Sequence, residues 1–254
     1  MPTDTTPIWP GAWRLYKANF GLFACLSLIN TTIEAATGWS YALGIIALSI
    51  VGVFVTGAVA AYAVHVSELT DQKFGASDLW SGAALPNRAF VSITLLVIFA
   101  FCLVGLALWP LGAYAESSDA IELTVADQMM IGIILASLLA YVFFLCRFGT
   151  VFPAAAIDND WSLKHAYDRG RGTSWTLAKG LLAGPIPGLI LLFILYWFVA
   201  DVLRIDTYIW REEGTFSSVG VVSAFIGNLI SFLITCLGVV AFCNAYRRSK
   251  FGSA

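Results

Sequence analysis

The residues of this chain best suited to chemistry are few and scattered. Glu34 is the carboxylate set well inside an apolar segment, and it shares a helical face with Ser27, Asn30 and Thr31. Such a polar stripe is expected to point into the bundle or a water-filled crevice, and a merely solvated acid near the outer helix end is the alternative. Asp201 and Arg204, one turn apart, are spaced to pair with each other or with Glu34. His65 and His165 have no companion at metal-ligand spacing. The cysteines, at 25, 102, 146, 236 and 243, lie in apolar segments without a C-x-x-C pair. The signatures H-E-x-x-H, G-x-S-x-G and the glycine-rich phosphate loop are missing. No catalytic residue, metal or cofactor is indicated.

The elements that must position these residues are apolar helices. The chain is 59% hydrophobic and 12% charged, and its apolar residues run in long blocks rather than alternating with polar ones. Crossing a hydrocarbon core of about 30 Å takes about 20 such residues. Six segments qualify, at about 20–38, 41–65, 89–113, 128–150, 181–203 and 219–244. The expectation is an all-α fold, a polytopic transmembrane helical bundle forming a single domain over 1–254. The longest connection, roughly 151–180, is too short for a separate core. The four residues from Thr37 to Ser40 suggest that the first two spans form a tight antiparallel hairpin. The first span also has the length of a signal-peptide core, but Trp9, Pro10 and Trp13 before it and Glu34 near its end favour retention.

Charge placement orients the bundle. Arg14, Lys17, Lys73, Arg88, Arg147, Lys164, Arg169, Arg171, Lys179, Arg247, Arg248 and Lys250 fall on one side, leaving only Arg204 and Arg211 of the 14 basic residues for the other. The positive side is retained in the cytoplasm, so both termini are expected there, in a bacterial inner membrane. Bases dispersed between apolar blocks also exclude a nucleic-acid surface.

Two short interfacial helices are expected on that side. Over 9–19, Trp9, Trp13 and Tyr16 recur at helical spacing beside Arg14 and Lys17. Over 161–175, capped by Asp160 or Ser162, Leu163, Ala166, Tyr167 and Gly170 would face the membrane while Lys164, Asp168 and Arg171 face water. Before it, Pro153 should interrupt or kink the helix. Pro185 and Pro187, in Gly-Pro-Ile-Pro-Gly, mark a candidate helix break, or else the first turn of the fifth span, where a missing donor costs little. Small residues four apart, Gly52, Thr56 and Ala60, and Gly132, Ala136 and Ala140, suit close helix approach, and Asn228, Ser231 and Thr235 form a polar stripe.

Two stretches carry a resemblance. The segment Trp13-Arg-Leu-Tyr-Lys-Ala-Asn-Phe20, and the series Arg147, Pro153, Asp158, Ser162-Leu163, Ala166-Tyr167 and Trp175-x-Leu177, resemble the bacterial membrane-domain family named after glycerophosphoryl diester phosphodiesterases. The resemblance covers about a fifth of the chain and departs at Gly170, where a hydroxyl residue is expected. It implies a six-span bundle with a motif at Arg147, Pro153, Asp158 and Trp175. It implies no phosphodiesterase activity, because the catalytic barrel is not in this sequence.

The function expected is that of a non-enzymatic scaffold, assembly or lipid-interacting component, its partners being membrane lipids and other membrane proteins or copies of itself. The alternative is a small-solute transporter or channel, with Glu34, Asn30 and the Gly-Pro-Ile-Pro-Gly break lining a path beside the embedded polar group Glu34, Asn30 and Thr31.

Overall fold

An apolar segment in a bilayer must bond its own backbone N–H and C=O groups, and helix does so within one strand of chain. The computed structural model describes residues 6–37, 43–100, 140–205, 207–210 and 215–251, with 43–50 described by backbone alone. Its helices are α1 (Ile8–Ala18), α2 (Phe20–Thr37), α3 (Leu43–Thr70), α4 (Ala76–Ser81), α5 (Arg88–Ala100), α6 (Ala140–Phe148), α7 (Val151–Ile157), α8 (Leu163–Ala183), α9 (Pro185–Trp197) and α10 (Ser218–Phe251). A π-helical turn, Phe198–Val202, follows α9. Among the described residues the only bridge between extended segments is the antiparallel pair Trp210 and Phe216.

Four stretches are long and apolar enough to cross a membrane: Phe20–Thr37, Val51–Thr70, Leu163–Val202 and Ser218–Phe251. The α6–α7 pair, bent by 43°, makes a fifth if it is one span. Most of the expected third span and the first half of the fourth lie in 101–139, outside the described residues, together with Cys102, Gly132 and Ala136. The fold is an all-α bundle with four to five membrane-spanning candidates, and six spans are not established by it.

At 34 residues, α10 is about 50 Å long and forms the spine. It packs against α1, α2, α3 and α8. Ser217 caps its start by accepting the Gly220 N–H at 3.1 Å. The α2–α3 pair is antiparallel, since Gly52 meets Ile33, Thr56 meets Asn30 and Ser67 meets Asn19. Asn87 ties two helix ends with one amide. Its oxygen accepts the Phe90 N–H at 2.9 Å at the start of α5, and its nitrogen donates to the Ala155 carbonyl at 2.8 Å near the end of α7.

Several expected boundaries move. The second span runs on to Thr70, five residues past its expected end at 65, which draws Glu68 into the helix. The last span extends from 244 to Phe251. The helix expected over 161–175 is a 21-residue helix that continues through Gly184 into α9, one helical stretch from Leu163 to Val202. Its start is capped by the Ser162 hydroxyl, which accepts the His165 N–H. Ala166 and Gly170, expected to face the membrane, are buried against protein, while Leu163 and Tyr167 are exposed. The reason is close backbone contact: a Cβ on Gly170 would run into the Arg147 carbonyl oxygen of α6, so only glycine permits this approach.

The prolines sit where their missing donors do least harm. Pro153 is the third residue of α7, and the bend lies before it at Gly149 and Thr150. Pro185 takes the first position of α9. In an unbroken helix the Ala183 carbonyl would accept from residue 187, which is proline; the Trp9 indole N–H of α1 donates to it instead, at 2.8 Å.

Candidate functional site

Arg14, Arg169, Arg247 and Lys250, on α1, α8 and α10, meet acids at or just beyond the ends of α3 and α7, and one of those acids, Glu68, is not singled out by sequence. Glu68, in the last turn of α3, has a side chain with 0% exposure. A buried carboxylate is tolerated when its charge is paired and its oxygens are hydrogen-bonded. Arg14 of α1 donates to one oxygen at 2.7 Å and Arg247 of α10 to the other at 2.6 Å. Thr6 adds its hydroxyl at 3.0 Å, and the second Arg247 nitrogen donates to the Glu68 carbonyl. Thr6 is itself held by Asn244, whose side chain exchanges two hydrogen bonds with the Thr6 backbone at 3.0 and 2.8 Å. One acid thus fastens the segment before α1 to the ends of α3 and α10.

Asn19, fully buried between α1 and α2, does similar work. Its oxygen accepts the Ser67 hydroxyl at 3.1 Å and the Phe74 N–H at 2.8 Å, and its nitrogen donates to the Leu15 carbonyl at 2.9 Å. His65 lies one turn before Glu68, wedged among Phe90, Phe152 and Phe242, with Nδ1 2.7 Å from the Ala61 carbonyl. It is a packing residue of this core.

The expected motif Arg147, Pro153, Asp158 and Trp175 falls in the same end but forms no single constellation. Arg147 lies over the Tyr167 ring, 3.8 Å from its centroid. Pro153 is buried in α7. Asp158 accepts the Tyr246 hydroxyl and the Lys250 ammonium, the latter at 2.8 Å, which clamps α7 to α10. Asp160 accepts from Arg169 at 3.0 Å, from the Ser162 backbone N–H at 3.0 Å, and faces His165 at 3.2 Å. Burial alone would raise both carboxyls. For Asp158 the bonds from Lys250 and Tyr246 outweigh it, and for Asp160 those from Ser162, Arg169 and His165 do, so both ionise below the usual range. Trp175 is 70% exposed, with Lys179 over its ring at 5.4 Å.

The embedded polar group divides between two neighbours. Asn30 accepts the Thr56 hydroxyl at 2.7 Å and is sealed into the α2–α3 contact. Thr31 and Glu34 instead face α10, where Asn228 approaches them at 3.4 and 3.5 Å. The three residues therefore do not line one path between these helices. No ion pair joins Asp201 to Arg204, or either to Glu34, among the described residues. Glu34 and Asn228 border a cavity of about 500 Å³ between α2, α9 and α10. Its other walls are mostly apolar, Leu192, Val199, Val222 and Ile226 among them.

Chemically, the acids Glu68, Asp158 and Asp160 at the basic end are each closed by cations of the same chain. Among the described residues no three His, Cys, Asp or Glu side chains are grouped to hold a metal. Compared with protein-family models, curated proteins and solved structures, the chain matches none of them.

Proposed function

We propose that this chain is a non-enzymatic scaffold or lipid-interacting component of the bacterial cytoplasmic membrane, with its basic end on the cytoplasmic side. The observation that carries the reading is a repeated pair. Trp13 and Lys17 on α1, and Trp175 and Lys179 on α8, each stand four residues apart, with the ammonium over the indole at 5.7 and 5.4 Å. Both tryptophans are exposed, at 51% and 70%. An indole resting at headgroup depth beside a cation is the pairing that binds an anionic membrane surface. The interior charges are consumed in holding helices together, so the cations left to meet a ligand are those at the rim.

Twelve of the 14 basic residues on one side support the cytoplasmic assignment of that end. The gathering of Arg147, Pro153 and Asp158 in the same end supports kinship with the membrane-domain family, which we also propose. Other membrane proteins or a second copy are the proposed protein partners. The test is lipid retention by the purified protein, released from nanodiscs of equal phosphatidylglycerol and phosphatidylcholine and read by native mass spectrometry. Several-fold retention of the anionic lipid is expected, falling to parity in the combined W13A, K17Q, W175A and K179Q variant. Parity in the unaltered protein, with no co-isolated partner, overturns the reading.

A further inference from the structure

The cavity beside Glu34 has a chemistry the basic end does not share. Glu34 is half-buried, and a carboxylate has room for about four hydrogen bonds. Among the described residues its one partner is the Asn228 amide, at a long 3.5 Å. No cation lies within ion-pair distance of it among the described residues. Leaving such a group undersupplied in an apolar wall is costly, and a ligand that brings donors and positive charge relieves that cost.

The walls say where the ligand comes from. Leu195, Tyr196, Val222 and Ile226 line the cavity and are between 44% and 56% exposed, on helices apolar enough to span a bilayer. A cavity walled by partly exposed apolar side chains of membrane-spanning candidates is suited to acyl chains. Along α10 it reaches from Val219 to Ile230, about 16 Å, a length suited to a chain lying parallel to the helix. The polar groups of its border beyond Glu34 and Asn228 include Thr207 and Ser223, and Arg204, next to the lining residue Ile205, has no carboxylate partner among the described residues. An acid in the wall, with a base one residue along the chain from the lining residue Ile205, complements a zwitterion.

We infer that this cavity is a binding site for a bilayer lipid with a primary-ammonium headgroup, the ammonium donating to Glu34 and an acyl chain lying between α9 and α10. A trimethylated headgroup has no N–H to donate and is discriminated against on that ground. The site lies apart from the Trp–Lys pairs and does not depend on them.

The same native mass spectrometry, from nanodiscs of equal phosphatidylethanolamine, phosphatidylcholine and phosphatidylglycerol, tests it. The unaltered protein is expected to retain phosphatidylethanolamine several-fold over phosphatidylcholine. Glu34→Gln removes the charge and should bring the two to parity. Gly227→Leu fills the cavity from α10, where an added Cβ meets nothing within 4 Å, and should also abolish retention while melting no lower than the unaltered protein. Retention of phosphatidylglycerol should not change in either variant, which separates this site from the basic end. Parity in the unaltered protein, or preference kept by either variant, overturns the inference; loss in Glu34→Gln alone would place the ammonium outside the cavity and overturns it equally.

Discussion

Arg247 on α10 lies 2.6 Å from the fully buried carboxylate of Glu68 on α3, joining residues 179 apart in sequence. Removing the cation leaves an acid in the interior with Arg14 as its remaining charge partner. Arg247→Met is expected to destabilise the fold by about 3 kcal/mol, the range found when one member of a buried pair is lost. Arg14, whose side chain is 58% exposed, should matter less, by about 1 kcal/mol on substitution to Ala. Adding Glu68→Gln to Arg247→Met should recover part of the loss, because no buried carboxylate is then left short of charge and Arg14, 58% exposed, is solvated by water. Denaturation in detergent, followed by circular dichroism, measures all three.

The Gly170 contact with the Arg147 backbone gives a steric prediction. Gly170→Ala forces α8 away from α6 and should cost about 1 to 3 kcal/mol. Gly172→Ala, two residues on, meets nothing within 4 Å and should stabilise by up to about 1 kcal/mol through helix propensity. Equal effects at the two positions would contradict the packing described.

Trp9 supplies the donor that Pro187 lacks. Trp9→Phe keeps the ring and removes the N–H, so the expected loss is about 1 kcal/mol of stability. Pro187→Ala in the same background offers a backbone N–H near the orphaned Ala183 carbonyl and should lessen that loss. A thermal-melting cycle over the two single variants and the double variant reads the coupling.

Asp158 and Asp160 predict an acid dependence. Both carboxyls ionise more readily in the folded chain than in the unfolded one, where aspartate titrates at about 3.9. Their contribution is therefore complete above that value and is lost as the pH falls through the lower folded-state values. The melting-temperature gap between the unaltered protein and the D158N, D160N variant should hold steady from about pH 7 to pH 5 and narrow below about pH 4. A gap that stays constant down to pH 3 would show that these carboxylates do not clamp α7 and α8.

Much of the basic end was legible in part. Ala60, Val64 and Glu68 follow one another at four-residue spacing, and all three are buried, so periodicity carried past residue 65 would have put Glu68 on the inner face. An acid just beyond an apolar block reads instead as a solvated end, because pattern alone cannot show that two arginines from distant helices will meet it. The same holds for α8. Its Ala166 and Gly170 look like a lipid-facing stripe until α6 is seen to occupy that side. Asn30, Thr31 and Glu34 share a face of α2, but a face is wide enough to meet two neighbours, and α3 and α10 divide it.

By itself the sequence determined that this chain is an all-helical membrane bundle, since blocks of apolar residues near the bilayer's length can be solvated only by lipid and can satisfy their backbone only as helix. It also determined where the bases collect, because loop charge is a property of the chain in one dimension. The tertiary structure alone decided which charges pair across helices: Glu68 with Arg14 and Arg247, Asp158 with Lys250, Asp160 with Arg169. It alone decided that Glu34 borders a cavity while Asn30 is closed off. Pairing depends on which helix faces which, and that is set by the close contacts at Gly52, Gly149 and Gly170, whose partners lie up to 93 residues away.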